Sequence, residues 1–456
     1  MTVIRIRTLV VALGFVLFAA VVPARVEVTE REVTRAFLTL VVGDEGDMAH
    51  IMDLIESTWE PSYLSMALDG MRLIRSPSVS AALMAMVEAK SDGAHGYDLG
   101  AWQRAMWNAP EARHPRYAAF KGALHGLLDP RFAAYFDGVG EPLIRLDEIV
   151  WGGVRQDGIP PLRNPAMLTA DDAAYLEDDH IVFGISVNGD ARAYPKRILG
   201  WHEMFVDTVG GVPVAGVYCT LCGTVILYHT EHEGVNHALG TSGFLYRSNK
   251  LMYDRATQSL WSTMRGVPVV GPLAGKGIAL GRGSVVTTTW GEWRRRHPDT
   301  KVLSLDTGHA RDYAEGAAYR EYFATDDLMF QVPAPDARLK NKAEVFTVLL
   351  AAHPDRPLAI SAGFLAANPV HHEAIEGTAL VVLTDPSGAN RAYASEDVTF
   401  TSYDGDRTVR DATGMTWTLG EHALTAADGR VRHRLPAQRA FWFGWYAAFP
   451  HTRLVR

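Results

Sequence analysis

Val212-Pro213-Val214-Ala215-Gly216-Val217-Tyr218-Cys219-Thr220-Leu221-Cys222-Gly223-Thr224-Val225-Ile226-Leu227-Tyr228 holds both cysteines of a 456-residue chain. Two apolar runs, 212–218 and 224–228, flank a short turn that carries the thiols three positions apart. Runs rich in Val, Ile and Tyr, broken by a Gly-containing turn, read as two strands of a hairpin. The turn is a knuckle that aims both sulfurs at one point. Such a pair chelates a soft metal or closes a small disulfide. A structural disulfide and a redox-active pair stand beside metal binding as readings of the same two residues.

Strand texture surrounds the knuckle. After Asp147, Gly and Pro clusters separate short Val, Ile, Tyr and Thr runs at 180–187, 191–194 and 379–383. Asn188-Gly189-Asp190 and Gly210-Gly211 are tight-turn signals between such runs. Residues 158–165 are Pro-rich and are expected across the surface of this region. The run Phe441-Trp442-Phe443-Gly444-Trp445-Tyr446 is aromatic enough to be core and to close the domain.

Upstream the period changes. Residues 48–59, 80–90, 97–108 and 115–128 carry apolar side chains at helical spacing, punctuated by Pro61, Pro77, Pro110, Pro115 and Pro130. The expected fold class is α+β: an N-terminal helical layer over 30–146, then a strand-rich, mainly antiparallel domain over 147–456. Short helices in series suggest a repeat layer, although no strict sequence repeat is present.

The first 24 residues differ again. Arg5 and Arg7 precede an uncharged apolar run over 9–22, and Val22-Pro23-Ala24 offers small residues at a cleavage site. That is the layout of a secretory signal peptide, with an uncleaved anchor as the alternative. Export to the periplasm or the exterior is expected, where a disulfide persists. No other stretch is apolar and long enough to span a bilayer. With 44 basic and 52 acidic residues the net charge is −8. No basic stripe appears, so nucleic acid is not an expected partner. The helical layer is a candidate docking face for a protein partner.

Several motifs in order resemble one family. They are Asp147-Glu148-Ile149-Val150-Trp151-Gly152-Gly153, Ala191-Arg192-Ala193-Tyr194-Pro195, Trp201-His202-Glu203 and the knuckle itself. Ser242-Gly243, the run from Met252-Tyr253-Asp254-Arg255 to Trp261-Ser262, and Phe441-Trp442-Phe443-Gly444-Trp445 follow. Over roughly residues 146–456 the chain resembles the domain of unknown function 3179 family. Thr220 stands where such knuckles usually carry Pro. The resemblance implies boundaries and candidate residues, and no reaction.

A metal at the knuckle needs further ligands, since there is no second cysteine pair. His202, one hairpin away, is the candidate third ligand, with Glu203 or Asp207 orienting its ring; the alternative is a core histidine bonded to a backbone carbonyl. His229 and His232 cannot share one face of a strand, and at most one of His229, His232 and His237 joins the site. Met252 is a further soft candidate or a core side chain. Asp254 and Arg255 are pocket candidates, Arg255 for an anionic substrate; the structural alternative has Asp254 bonding turn amides beside a core Trp261. His371-His372 reads as surface. Two thiolates and an imidazole suit copper or zinc.

Other chemistries lack their signatures. There is no Gly-x-Ser-x-Gly elbow, Walker loop or dinucleotide fingerprint in proper context. Gly223 after the second cysteine excludes a Cys-x-x-Cys-His haem attachment. The leading expectation is an exported copper- or zinc-binding protein, an oxidoreductase in its catalytic form. The alternatives are a metal-free thiol–disulfide protein and a non-catalytic binding protein with a structural disulfide.

Overall fold

Thr29 starts the first helix, Glu30–Val42, by a reciprocal cap: its side chain accepts from the Glu32 amide and the Glu32 carboxylate accepts from the Thr29 amide. The computed structural model describes residues 28–43, 48–138 and 140–456; the expected export segment, residues 1–24, lies outside them. Ser76 and Asp98 cap Pro77–Lys90 and Leu99–Asn108 one way only, their side chains accepting from the Val79 and Ala101 amides, with Pro77 at a position where a missing N–H costs nothing. Met48–Ser57 and Tyr117–Gly126 fall where the helical period places them. Tyr63–Met71 is different: it is buried nearly all round, so it shows no polar face and no visible period. It carries Asp69, whose buried carboxylate accepts from Lys121 Nζ and Tyr117 Oη, each at 2.7 Å.

A 3-10 turn at Leu146–Glu148 hands the chain from helix to strand. Ile149–Trp151 then pairs with Leu239–Tyr246, in a sheet completed by Asn249–Asp254, Leu260–Ser262 and Val267–Val270. Phe244, Leu251, Leu260 and Val270 of this sheet share one core with Phe37, Phe120 and Leu124 of the helices. Phe244 is the hub, with ring centroids 4.8 Å from Phe132, 5.0 Å from His125 and 5.7 Å from Phe136.

The cysteine hairpin occupies a second sheet, in the order Gly281–Gly283, Thr224–His229, Val212–Cys219, Met204–Val209, Leu162–Arg163. Gly210 and Gly211, at φ +55 and +80, form the two-residue turn that sets Val209 opposite Val212. Asn188 and Gly189 make the same kind of turn between Ile181–Val187 and Asp190–Pro195. The Pro-rich 158–165 segment is mostly half-exposed and supplies the edge strand Leu162–Arg163.

Strand pairing is antiparallel apart from Leu162–Arg163 on Met204–Val209, Asp190–Pro195 on Lys301–Leu303, and Leu358–Ser361 on Arg453–Val455. A three-stranded sheet over 370–394 and a five-stranded meander over 400–433 are inserted between Leu358–Ser361 and Ala437–Phe441, two strands of one sheet. The aromatic run is core, as its composition indicates: Trp442 and Trp445 are fully buried in the helix Trp442–Ala448. The architecture is therefore helices first, then a strand-rich domain of mostly antiparallel sheets. Among the described residues no helix is long and apolar enough to cross a membrane.

Candidate functional site

The two strands of the hairpin pair up to Cys219 opposite Thr224, and the backbone then closes by Cys222 N donating to Cys219 O at 3.1 Å. Gly223 sits at φ +59 with the Phe441 ring against it; a Cβ there would come within 2.8 Å of the ring. Cys219 and Cys222 are joined as a disulfide with their Cα atoms 5.2 Å apart. Both are buried, 2% and 0% exposed, so any exchange reaction must be with a small partner or follow a local opening.

Three elements hold the knuckle. Phe441 N donates to Cys222 O at 2.7 Å, and Tyr322 Oη donates to Leu221 O at 2.8 Å. Asn249 approaches from the first sheet, just after the left-handed pair Arg247 and Ser248. Its Nδ2 donates to Arg247 O at 3.2 Å and to Gly444 O at 3.1 Å. With both donors spent on carbonyls, Oδ1 must face the other way, and it lies 2.9 Å from Cys222 Sγ.

Beneath the turn is a buried ion pair. Glu203 caps the helix Lys196–His202 in the left-handed conformation, at φ +55, where Gly or Asn is usual. Its Oε1 accepts from Thr220 Oγ1, inside the Cys-x-x-Cys turn, and from Tyr319 Oη at 3.0 Å. Its Oε2 meets Lys250 Nζ at 2.5 Å. Lys250 also donates to Glu203 O at 3.2 Å and reaches Tyr218 O at 3.5 Å. Burial lowers the Lys250 pKa, and the Glu203 carboxylate opposes that shift. Burial and the Glu203 charge raise that of Tyr319.

The structure brings Cys219, Cys222 and Glu203 into one cluster. The His202 ring turns elsewhere: Nδ1 bonds Pro160 O at 2.9 Å and Nε2 bonds Tyr313 Oη at 2.5 Å, so neither nitrogen has a sulfur partner. Burial pushes its pKa down to about 4, so the ring is neutral. Asp207 bonds Arg192 at 2.6 Å and Tyr194 at 3.1 Å. Met252 is fully buried in the core beside Trp261. Asp254 accepts from the Ala256 and Thr257 amides of its turn, at 3.0 and 2.8 Å, and from the His237 ring at 3.2 Å; Arg255 is exposed. His371 and His372 are half-buried, on Glu373 and Phe400 respectively. Among the described residues, the grouping of three potential ligand atoms within 4.8 Å is Glu177, Asp179 and His180, largely exposed and remote in sequence from the knuckle. Asn249, Lys250, Tyr319 and Gly444 were not legible as site residues; Lys250 follows the polar Arg247-Ser248-Asn249 and so reads as part of a solvated turn.

The family model described as "Protein of unknown function (DUF3179)" matches residues 156–452. No curated protein and no solved structure matches the chain.

Proposed function

This chain belongs to the DUF3179 family, and we propose that it is a thiol–disulfide redox protein whose working pair is Cys219 and Cys222. One observation carries the reading. Asn249 Oδ1 stands 2.9 Å from Cys222 Sγ, held by an amide whose donors are both committed to carbonyls. A disulfide sulfur has no hydrogen to give that oxygen; a thiol does. The pocket is thus furnished for the reduced state as well as the oxidised one.

In the reaction, the thiolate of a small dithiol donor attacks Sγ of Cys219, the slightly less buried of the two residues. The S–S bond breaks and Cys222 leaves as a thiolate, which takes a proton and donates S–H to Asn249 Oδ1. The donor's second thiolate then displaces the mixed disulfide, freeing Cys219 and carrying off the donor as its own disulfide. Two electrons and two protons reach the protein. Export, expected from residues 1–24, would place the oxidised pair where it persists.

A second reading rests on both sulfurs sharing one turn. Once reduced, they form a two-thiolate chelate suited to a copper or zinc ion, with His202 available only if it leaves Tyr313.

Equilibration in dithiothreitol buffers, with a thiol count and tryptophan fluorescence, tests the first reading; Trp442 and Trp445 flank Gly444, which packs on Cys222. Reversible reduction with an unchanged circular dichroism spectrum is expected. Reduction only upon unfolding would make the disulfide a structural staple. Stoichiometric copper or zinc in protein purified without chelator would favour the metal reading.

A further inference from the structure

The Thr224–His229 strand begins at the knuckle, and at its far end it borders a cavity of about 330 Å³. That is the lower end of the size range for small-molecule sites. The wall draws on the end of Ile181–Val187, on His229, on the neighbouring edge strand Gly281–Gly283, and on the inserted meander around His422 and Arg434. Arg282 and Arg434 both line it, as do the rings of His229, His422 and His433.

The charge of this wall is unbalanced. Its one carboxylate, Glu421, is already shared: it accepts from Arg391 at 2.9 Å, from Arg434 Nη1 at 2.7 Å, and lies 3.5 Å from the His297 ring. Against the opposing effect of burial, the Arg391 and Arg434 guanidiniums hold its pKa well below the ordinary range. Among the described residues Arg282 has no carboxylate in salt-bridge reach; its Nη1 donates to Met264 O at 3.1 Å.

Three guanidinium nitrogens remain buried without a hydrogen-bond partner: Arg282 Nη2, Arg434 Nε and Arg434 Nη2. The Arg434 side chain is only 4% exposed. Its Nε and Nη2 form one edge of the guanidinium, the edge that grips an oxyanion through two parallel bonds. Buried donors left unpaired are costly, and a binding site for an ion is a standard reason for finding them.

We propose that this cavity binds a phosphate group, free or carried on a small organic molecule. A tetrahedral oxyanion supplies separate oxygens to Arg282 and to the Arg434 edge, and the rim hydroxyls and imidazoles offer further polar contacts. The site is independent of the redox reading.

The test is calorimetric titration of the full chain with inorganic phosphate and, separately, with glycerol phosphate, in chloride buffer. Saturable one-to-one binding is expected for at least one; tighter binding of the ester marks an organic ligand, and equal or weaker binding marks the free ion. Arg282→Gln removes a donor that supports no ion pair, so it should fold as the parent does. It should weaken binding roughly tenfold. Arg434→Gln should abolish binding; if it does not fold, Arg282→Gln alone decides. No saturable heat up to about 10 mM of either compound, or unchanged affinity in Arg282→Gln, would overturn the proposal.

Discussion

Gly444 packs directly on Cys222: a Cβ at position 444 would lie 2.8 Å from Cys222 Cβ and 3.3 Å from its Cα. The helix Trp442–Ala448 reaches the knuckle only because this residue has no side chain.

Gly444→Ala therefore sets two effects against each other. Helix propensity favours Ala by about 1 kcal/mol, while forced overpacking against a backbone that cannot step aside costs about 1–3 kcal/mol. The clash wins, because the nearest atoms belong to a turn tied to Phe441 and Tyr322. The variant should be less stable by up to about 2 kcal/mol. A urea midpoint equal to or above that of the parent would contradict this.

Asn249→Ala removes the acceptor facing Cys222 Sγ. The reduced state loses a hydrogen bond that the oxidised state never had, so the midpoint potential becomes more negative. The size follows from about 0.5–1 kcal/mol, or roughly 10–20 mV for two electrons. Equilibration against dithiothreitol reads it, and a shift to more positive potential would refute the role assigned to Asn249.

Glu203→Gln leaves the Lys250 ammonium buried without its carboxylate. Breaking such a pair costs about 3–5 kcal/mol. In the double variant Glu203→Gln/Lys250→Met no charge is stranded, and much of that loss should return. A four-corner denaturation cycle measures the coupling; additive losses would show that the two side chains do not act as a pair.

Acid should weaken the fold through its histidines. Burial lowers His125 to about 4, with the Lys121 ammonium adding to the effect, and burial lowers His202 to about 4 as well. The unfolded chain takes up these protons near pH 6.5, while the native state refuses them until about pH 4. Stability is thus full above 6.5 and falls as pH drops through this window. His125→Phe, which keeps an aromatic ring beside Phe136 and Phe244, should flatten the decline between pH 7 and pH 5. An unchanged slope would mean that His125 titrates normally.

Much of this architecture can be read from residue spacing. The change of period near Leu146, the turns at Asn188-Gly189 and Gly210-Gly211, and the buried aromatic run are local signals, and local signals survive folding. Tyr63–Met71 escaped because a helix buried on every side has no polar stripe. The cysteine pair stood out because the chain has no others. The partners of the knuckle did not, because they come from across the fold. Lys250 meets Glu203 from 47 positions away, and Asn249 meets Gly444 from 195. His202 shows how finely such proximity is decided. As the last residue of its helix it turns to Pro160 and Tyr313, and the next residue, Glu203, turns to the cysteine loop.

Phe244 gives the recognisable segment and the foldable segment different lengths. The family match opens at residue 156, beyond the strand Ile149–Trp151 that covers one edge of the Phe244 sheet. A fragment cut there would bare that edge and strip Phe132, Tyr135 and Phe136 from the aromatic hub. Both exposures invite strand addition and aggregation. The family match thus begins partway through a shared interior, and the helices ahead of it serve as the lid on the cysteine domain's first sheet.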